Sequence, residues 1–290
     1  MHAFIDILTE AFLDTVRLLP FLFLTYLVME YLEDRAEEKT TEAIKKTGRF
    51  GPLCGALLGL LPQCGFSAAA SGLYAGGVIT AGTLLAVFLS TSDEMLPILL
   101  SESVPVPVIG RILLAKAVIG ALTGLLLDFV LSLLLRRGLF AGTRHIHDLC
   151  EQDDCRCEEG SLLLSALRHT ARVIFFVFVI TLAAGLLIRG IGEEAFASFL
   201  TARPAAGVFL SALIGLVPNC AASVTITELY LKGFLSGGQM LAGLLVGAGV
   251  GLPVLYRNHR RIKEDLLLTC VLYASGVFWG LLFMRLPVFF

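Results

Sequence analysis

The chain has 290 residues, 57% of them hydrophobic and only 16% charged, with net charge −2 and mean hydropathy +0.85. Soluble domains are roughly a quarter charged, so this composition excludes an ordinary soluble fold. The near-neutral balance and the lack of a basic block of the kind nucleic-acid binding needs argue against a polyanionic partner.

Charge gathers in short blocks between long apolar stretches, the layout of a membrane protein built from spans and loops. With 29 Gly and 10 Pro, several helices are expected to be broken or tightly packed. The start MHAFIDILTE lacks the basic region of a signal peptide, so a first span over 16–32 is expected to stay in the protein. A charged block at 33–49 follows, then apolar stretches at 51–77, 78–100 and 108–135 and a hydrophilic stretch at 136–160. The second half reads as apolar at 173–188, polar around Glu193 and Glu194, apolar at 204–233 and 234–255, basic at 257–263 and apolar at 266–284. The predicted organisation is a first transmembrane repeat over 1–135, a His/Cys/acidic loop over 136–160 and a second repeat over 161–290.

The halves match without a gap at an offset of 156, which places GLLPQCGFSAAASGLYAGG over GLVPNCAASVTITELYLKG. From 51 to 99, 18 of 49 positions are identical, including Pro62/Pro218, Cys64/Cys220, Ser67/Ser223, Tyr74/Tyr230, Gly77/Gly233 and Pro97/Pro253. Chance apolar similarity does not align Pro, Cys, Tyr and Gly together.

Blocks 33–49, 136–156 and 257–263 each carry four or five Lys and Arg, so all three are expected to face the cytoplasm. That requires 51–77 and 204–233 to enter and leave on one side, with Pro62 and Pro218 at the tips. Each arm of about a dozen residues spans half a bilayer. The halves are then inverted, an arrangement that places a substrate site near the midplane.

Pro62-Gln63-Cys64 and Pro218-Asn219-Cys220 are the first candidate site residues. Backbone groups freed by a helix break need partners in protein or in a water-lined cavity. A helix ending at each Pro aims carbonyls inward, which suits a cation. One starting after each Cys aims amides inward, with Ser67 or Ser223 as cap, which suits an anion or a neutral oxygen. Gln63 and Asn219 add oxygen ligands, and Cys64 and Cys220 add soft sulfur. The plainer alternative is a turn in which Cys only fills space.

Asp93 and Glu94 interrupt the apolar stretch AVFLSTSDEMLPILL. A charge at the bilayer centre costs about 2.5–3.5 kcal/mol on insertion scales, so both are expected to serve the site unless they lie at the interface. Their repeat partners, Gly249 and Val250, carry no charge, and Pro97 suggests a broken span. Glu228 replaces Gly72 and is either a third carboxylate or the i,i+4 partner of Lys232. Lys116 either neutralises Asp93 or Glu94 when no ion is bound, or snorkels. In the loop, His145, His147, Cys150, Cys155 and Cys157 concentrate transition-metal ligand types, although their spacing matches no zinc finger.

The paired LLPQCGFS and LVPNCAAS segments, the His/Cys-rich loop and LLSALRHTARVIFFVF resemble the ten-transmembrane heavy-metal exporter family, also described as arsenic efflux-like or as manganese transporters. The resemblance covers essentially the whole chain and implies efflux of a metal or metalloid across a bacterial cytoplasmic membrane. The expected fold is an all-α polytopic membrane protein with two inverted repeats of about five segments each, containing broken helices and re-entrant hairpins. Its expected role is a secondary exporter of a divalent transition metal. Mn²⁺ comes first because Asp93, Glu94, Gln63, Asn219 and Glu228 supply oxygen. No nucleotide motif is present, so an ion gradient is the expected drive, with Asp93 or Glu94 exchanging protons. No tightly bound cofactor and no enzymatic activity are expected. The expected partners are the lipid bilayer and a metal or metalloid ion, and a homodimer stays open. The alternatives are an arsenite or organoarsenical permease using Cys64 and Cys220, an anion carrier, a membrane thiol oxidoreductase and a passive channel. The tips lack Arg and Lys, against the anion carrier. The loop has Cys-x-Cys in place of Cys-x-x-Cys, against the oxidoreductase.

Overall fold

The computed structural model describes residues 50–136 and 204–285, apart from 62, 63, 93, 94, 219 and 260, with scattered positions within 8–27 and 167–182. Among the described residues every regular element is a helix. Among the described residues four stretches are long and apolar enough to cross a membrane: Ala81–Ser101, Val106–Leu133, Gly237–His259 and Ile262–Met284. The chain is a multi-pass membrane protein.

The first half contains α1 (Gly51–Gly59), α2 (Cys64–Ala75), α3 (Ala81–Ser90), α4 (Met95–Ser101) and α5 (Val106–Arg136). The second contains α6 (Pro204–Gly215), α7 (Cys220–Leu231), α8 (Gly237–Val246), α9 (Gly251–His259) and α10 (Ile262–Met284). Helices α7 to α10 each begin 156 residues after α2 to α5, the same offset that aligns the sequences.

The local chemistry that sets these boundaries repeats too. α2 and α7 stop at left-handed glycines, Gly77 at φ 73° and Gly233 at φ 79°. The amide of Val78 reaches the Leu73 carbonyl at 2.9 Å and that of Gly77 the Tyr74 carbonyl at 3.0 Å. Phe234 and Gly233 repeat the pattern on Leu229 and Tyr230 at 2.9 and 3.0 Å, so both ends are Schellman caps. Hydroxyl caps then start α3 and α8. Thr80 accepts from the Thr83 amide at 3.1 Å and Ser236 from the Gln239 amide at 3.4 Å. Gln239 closes a capping box by accepting the Ser236 amide at 2.7 Å. In the first half Asp128 of α5 supports the cap instead, accepting the Thr80 hydroxyl at 2.6 Å and the Gly82 amide at 2.8 Å.

α1, α3 and α5 pack as one layer, and α6, α8 and α10 as another. Glycines let these backbones touch. A Cβ on Gly82 would strike the Gly124 carbonyl and the reverse, and Gly238 and Gly280 form the same reciprocal pair. Gly120 faces the Ala86 carbonyl as Gly276 faces that of Ala242, and Gly59 faces Val87 as Gly215 faces Gly243. The halves interlock because α2 packs along α9, α7 meets α4 and α3 touches α8. The arms α1 and α2 scarcely touch each other: α1 stays with its own layer while α2 crosses to α9.

The stretches expected as spans at 78–100 and 234–255 are each two helices. α3 stops at Ser90 before α4 begins at Met95, and α8 stops at Val246 before α9 begins at Gly251. The first interruption precedes Pro97, which is the third residue of α4, and Pro253 sits likewise in α9. A proline there costs no hydrogen bond, because first-turn amides have no intrahelical partner. These interrupted stretches lie inside the molecule, with 75% and 89% of their apolar windows buried, against 39% and 22% for those of α5 and α10. The outer helices present Leu114, Leu122, Phe129 and Phe278 outward, as contact with lipid tails requires.

Candidate functional site

The interruptions that begin at Thr91 and Gly247 place helix ends, with their unpaired backbone groups and partial charges, inside the protein. At the first, hydroxyls partly cover the terminal carbonyls. Ser90 Oγ donates to Ala86 at 2.7 Å, Thr91 Oγ1 to Val87 at 2.7 Å and Ser92 Oγ to Ser90 at 3.0 Å, and all three residues are buried. The second is built of small residues, with Gly249 left-handed at φ 51°.

Lys116, reaching in from α5, joins the two. Its ammonium donates to the Thr91 carbonyl and, at 2.9 Å, to the Leu244 carbonyl in the last turn of α8. A cation thus sits on the negative ends of two helices, one from each half. The residue is 1% exposed, so the ammonium does not snorkel to the surface. Its repeat counterpart is Leu272, a core residue, so this lysine has no charged counterpart in the second half.

The first turns of α2 and α7 arrive at the same place. Ser67 is fully buried against Gly251, where a Cβ would come within 3.0 Å of Ser67 Cβ. One turn on, Ser71 Oγ lies 2.7 Å from the Gly251 carbonyl and 3.0 Å from that of Ser67. Ser223 lies at the other end of this interruption, since a Cβ on Gly247 would be 3.5 Å from its hydroxyl. The matching serines of the two halves therefore flank one break.

Glu228 is not brought beside Ser223. It lies about 140° around α7 from that serine, at 100° per residue. Its half-exposed carboxylate pairs with Lys232 at 3.1 Å, an ion pair worth little. Gln63, Asp93, Glu94 and Asn219 lie outside the described residues, as do His145, His147, Cys150, Cys155 and Cys157. Cys64 and Cys220 are described as the first helical residues of α2 and α7 by their backbone alone. Among the described residues no group of three or more His, Cys, Asp or Glu could hold a metal ion.

A second buried polar cluster closes the far end of α9. His259 Nδ1 lies 2.5 Å from Asp265 Oδ1, both side chains are buried, and the Tyr74 ring stands 5.1 Å from the imidazole. It fastens α9 to α10 and α2.

The sequence reading passes over four of these contributors. Thr91 and Leu244 act through backbone carbonyls, which leave no side-chain signal. Ser71 leaves one, since Thr227 repeats its hydroxyl. Asp128 leaves another as a carboxylate within the apolar stretch 108–135, singled out by the same desolvation cost that marks Asp93.

A family model described as "Putative, 10TM heavy-metal exporter" matches residues 1–181. That span holds α1 to α5, Lys116 and the central loop. The second half is tied to it by the internal repeat rather than by the match. No curated protein matches the chain, and no solved structure does. By a match over more than half its length, the chain belongs to this heavy-metal exporter family.

Proposed function

We propose that the protein is a secondary exporter of a divalent transition metal, with Mn²⁺ first among the cargoes. The observation that supports this most is the meeting of two interrupted spans at a buried centre, where carbonyls from both halves already hold a cation, the Lys116 ammonium. Broken helices at a repeat interface are the device by which transporters build a substrate site, and carbonyl-rich surroundings suit hard divalent ions.

In this reading the halves are inverted, and the Pro-polar-Cys segments before α2 and α7 are re-entrant tips. Asp93 and Glu94 follow Thr91 and Ser92 in the first interruption and supply the charge that Mn²⁺ requires. Gln63 and Asn219 supply further oxygen, and Ser67 and Ser223 line the second interruption. Protonation of Asp93 or Glu94 releases the metal and couples export to a proton gradient. The loops 33–49, 136–160 and 257–263 face the cytoplasm of a bacterial cell, and the His/Cys loop captures metal there.

A second reading, arsenite or an organoarsenical as cargo, draws on Cys64 and Cys220 opening α2 and α7 at equivalent positions. Proteoliposomes with an imposed pH gradient separate the two. Gradient-driven Mn²⁺ flux that is lost in D93N/E94Q supports the first reading. Arsenite flux lost on serine substitution of both cysteines supports the second, and no flux of either kind contradicts both.

A further inference from the structure

We infer that the Lys116 ammonium is a tethered stand-in for the cargo: it fills a cation seat whose ligands include the carbonyls of Thr91 and Leu244. The inference rests on the export reading for the identity of the cargo, and it adds what holds the centre closed between cycles.

Its first support is the ligand chemistry. Both partners are backbone carbonyls at the C-terminal ends of α3 and α8, where helix dipoles concentrate negative potential. Backbone carbonyl oxygen is a ligand for hard divalent cations as well as an acceptor for ammonium. The second support is cost. A lysine that is 1% exposed inside a membrane protein is expensive, yet the fold fills the equivalent place in the other half with Leu272. The charge is therefore not needed for packing. The third is connectivity. Thr91 belongs to one half and Leu244 to the other, so departure of the ammonium releases a tie between the halves at both interruptions. A divalent ion that displaces it adds one net charge to the centre instead of two. Cargo binding and rearrangement are thereby linked through one group.

The test uses the purified full chain, with Mn²⁺ binding and thermal unfolding as readouts. K116M keeps most of the apolar stem and removes the charge. It is expected to unfold at a lower temperature in metal-free buffer, to bind Mn²⁺ about tenfold more tightly because no ammonium must leave first, and to regain its unfolding temperature as Mn²⁺ fills the seat. K116R is expected to keep the tie and to bind Mn²⁺ more weakly than the native protein. Ethylammonium in solution is expected to restore the unfolding temperature of K116A where sodium at equal ionic strength does not. Mn²⁺ binding by K116M no tighter than native, or a K116A defect that neither Mn²⁺ nor ethylammonium repairs, overturns the inference and leaves Lys116 a structural clamp. A native protein that moves no metal while ethylammonium still rescues K116A contradicts the export reading and upholds the cation seat.

Discussion

Replacing Gly280 by alanine tests the close packing that positions the interrupted span α8. The new Cβ would lie 2.6 Å from Ala242 Cβ, 2.8 Å from the Gly238 carbonyl and 3.0 Å from Val208 Cγ1. Carbon–oxygen contacts settle at about 3.3–3.6 Å and carbon–carbon contacts at about 3.5–4.0 Å, so α10 must retreat by roughly 0.5–0.8 Å from the carbonyl and by about 0.9 Å or more from Ala242 Cβ. A gap of that size forfeits about a quarter to a half of each dispersion contact along the seam, and overpacking of this kind costs about 1–3 kcal/mol. Alanine returns about 0.8–1 kcal/mol of helix propensity. Gly110, on the exposed side of α5 with nothing within 4 Å of its would-be Cβ, receives only that return. G280A is therefore expected to be about 1–3 kcal/mol less stable than G110A, the difference being the overpacking term itself. G124A, the repeat counterpart on α5, is expected to fall on the same side. Reversible unfolding followed by circular dichroism in mild detergent measures all three. A G280A protein as stable as G110A refutes the reasoning.

Other expectations concern single polar groups. D128A removes the carboxylate that accepts from Thr80 and Gly82 and is expected to cost about 0.5–2 kcal/mol, with D128N losing less because one acceptor oxygen remains; thermal unfolding of both checks the order. D265A removes the hydrogen-bond partner of the buried His259 Nδ1 and is expected to cost about 1–3 kcal/mol. Combining it with H259L is expected to recover much of that loss, which a double-mutant cycle measures directly.

The sequence shows the duplication plainly, because a residue-for-residue match of Pro, Cys, Tyr and Gly has no cause in apolar composition. It shows the helix stops as well, since Gly77 and Gly233 are glycines where the chain turns left-handed. The exchange of α2 and α7 between the halves is not legible. Segments such as CGFSAAASGLYA are small and apolar on every side, so no stripe announces which neighbour they take. The second interruption leaves one faint signal, Pro253 at the repeat position of Pro97. GAGVG reads as a tolerated small-residue run inside an apolar span, and only the geometry reveals that α8 ends before it. At the centre, the lysine is visible in the sequence but its seat is not, because the seat is backbone. Glu228 is legible as the i,i+4 partner of Lys232, and of the two readings the sequence leaves open, the structure shows that one.

The most direct test of the account is the metal content of cells challenged with Mn²⁺, with and without this chain, measured by mass spectrometry across a panel of divalent metals and arsenite. Lower intracellular Mn²⁺ in the expressing cells, abolished by D93N/E94Q, is the predicted result. Unchanged levels of every metal and metalloid in the panel, with the protein present in the membrane, contradict it.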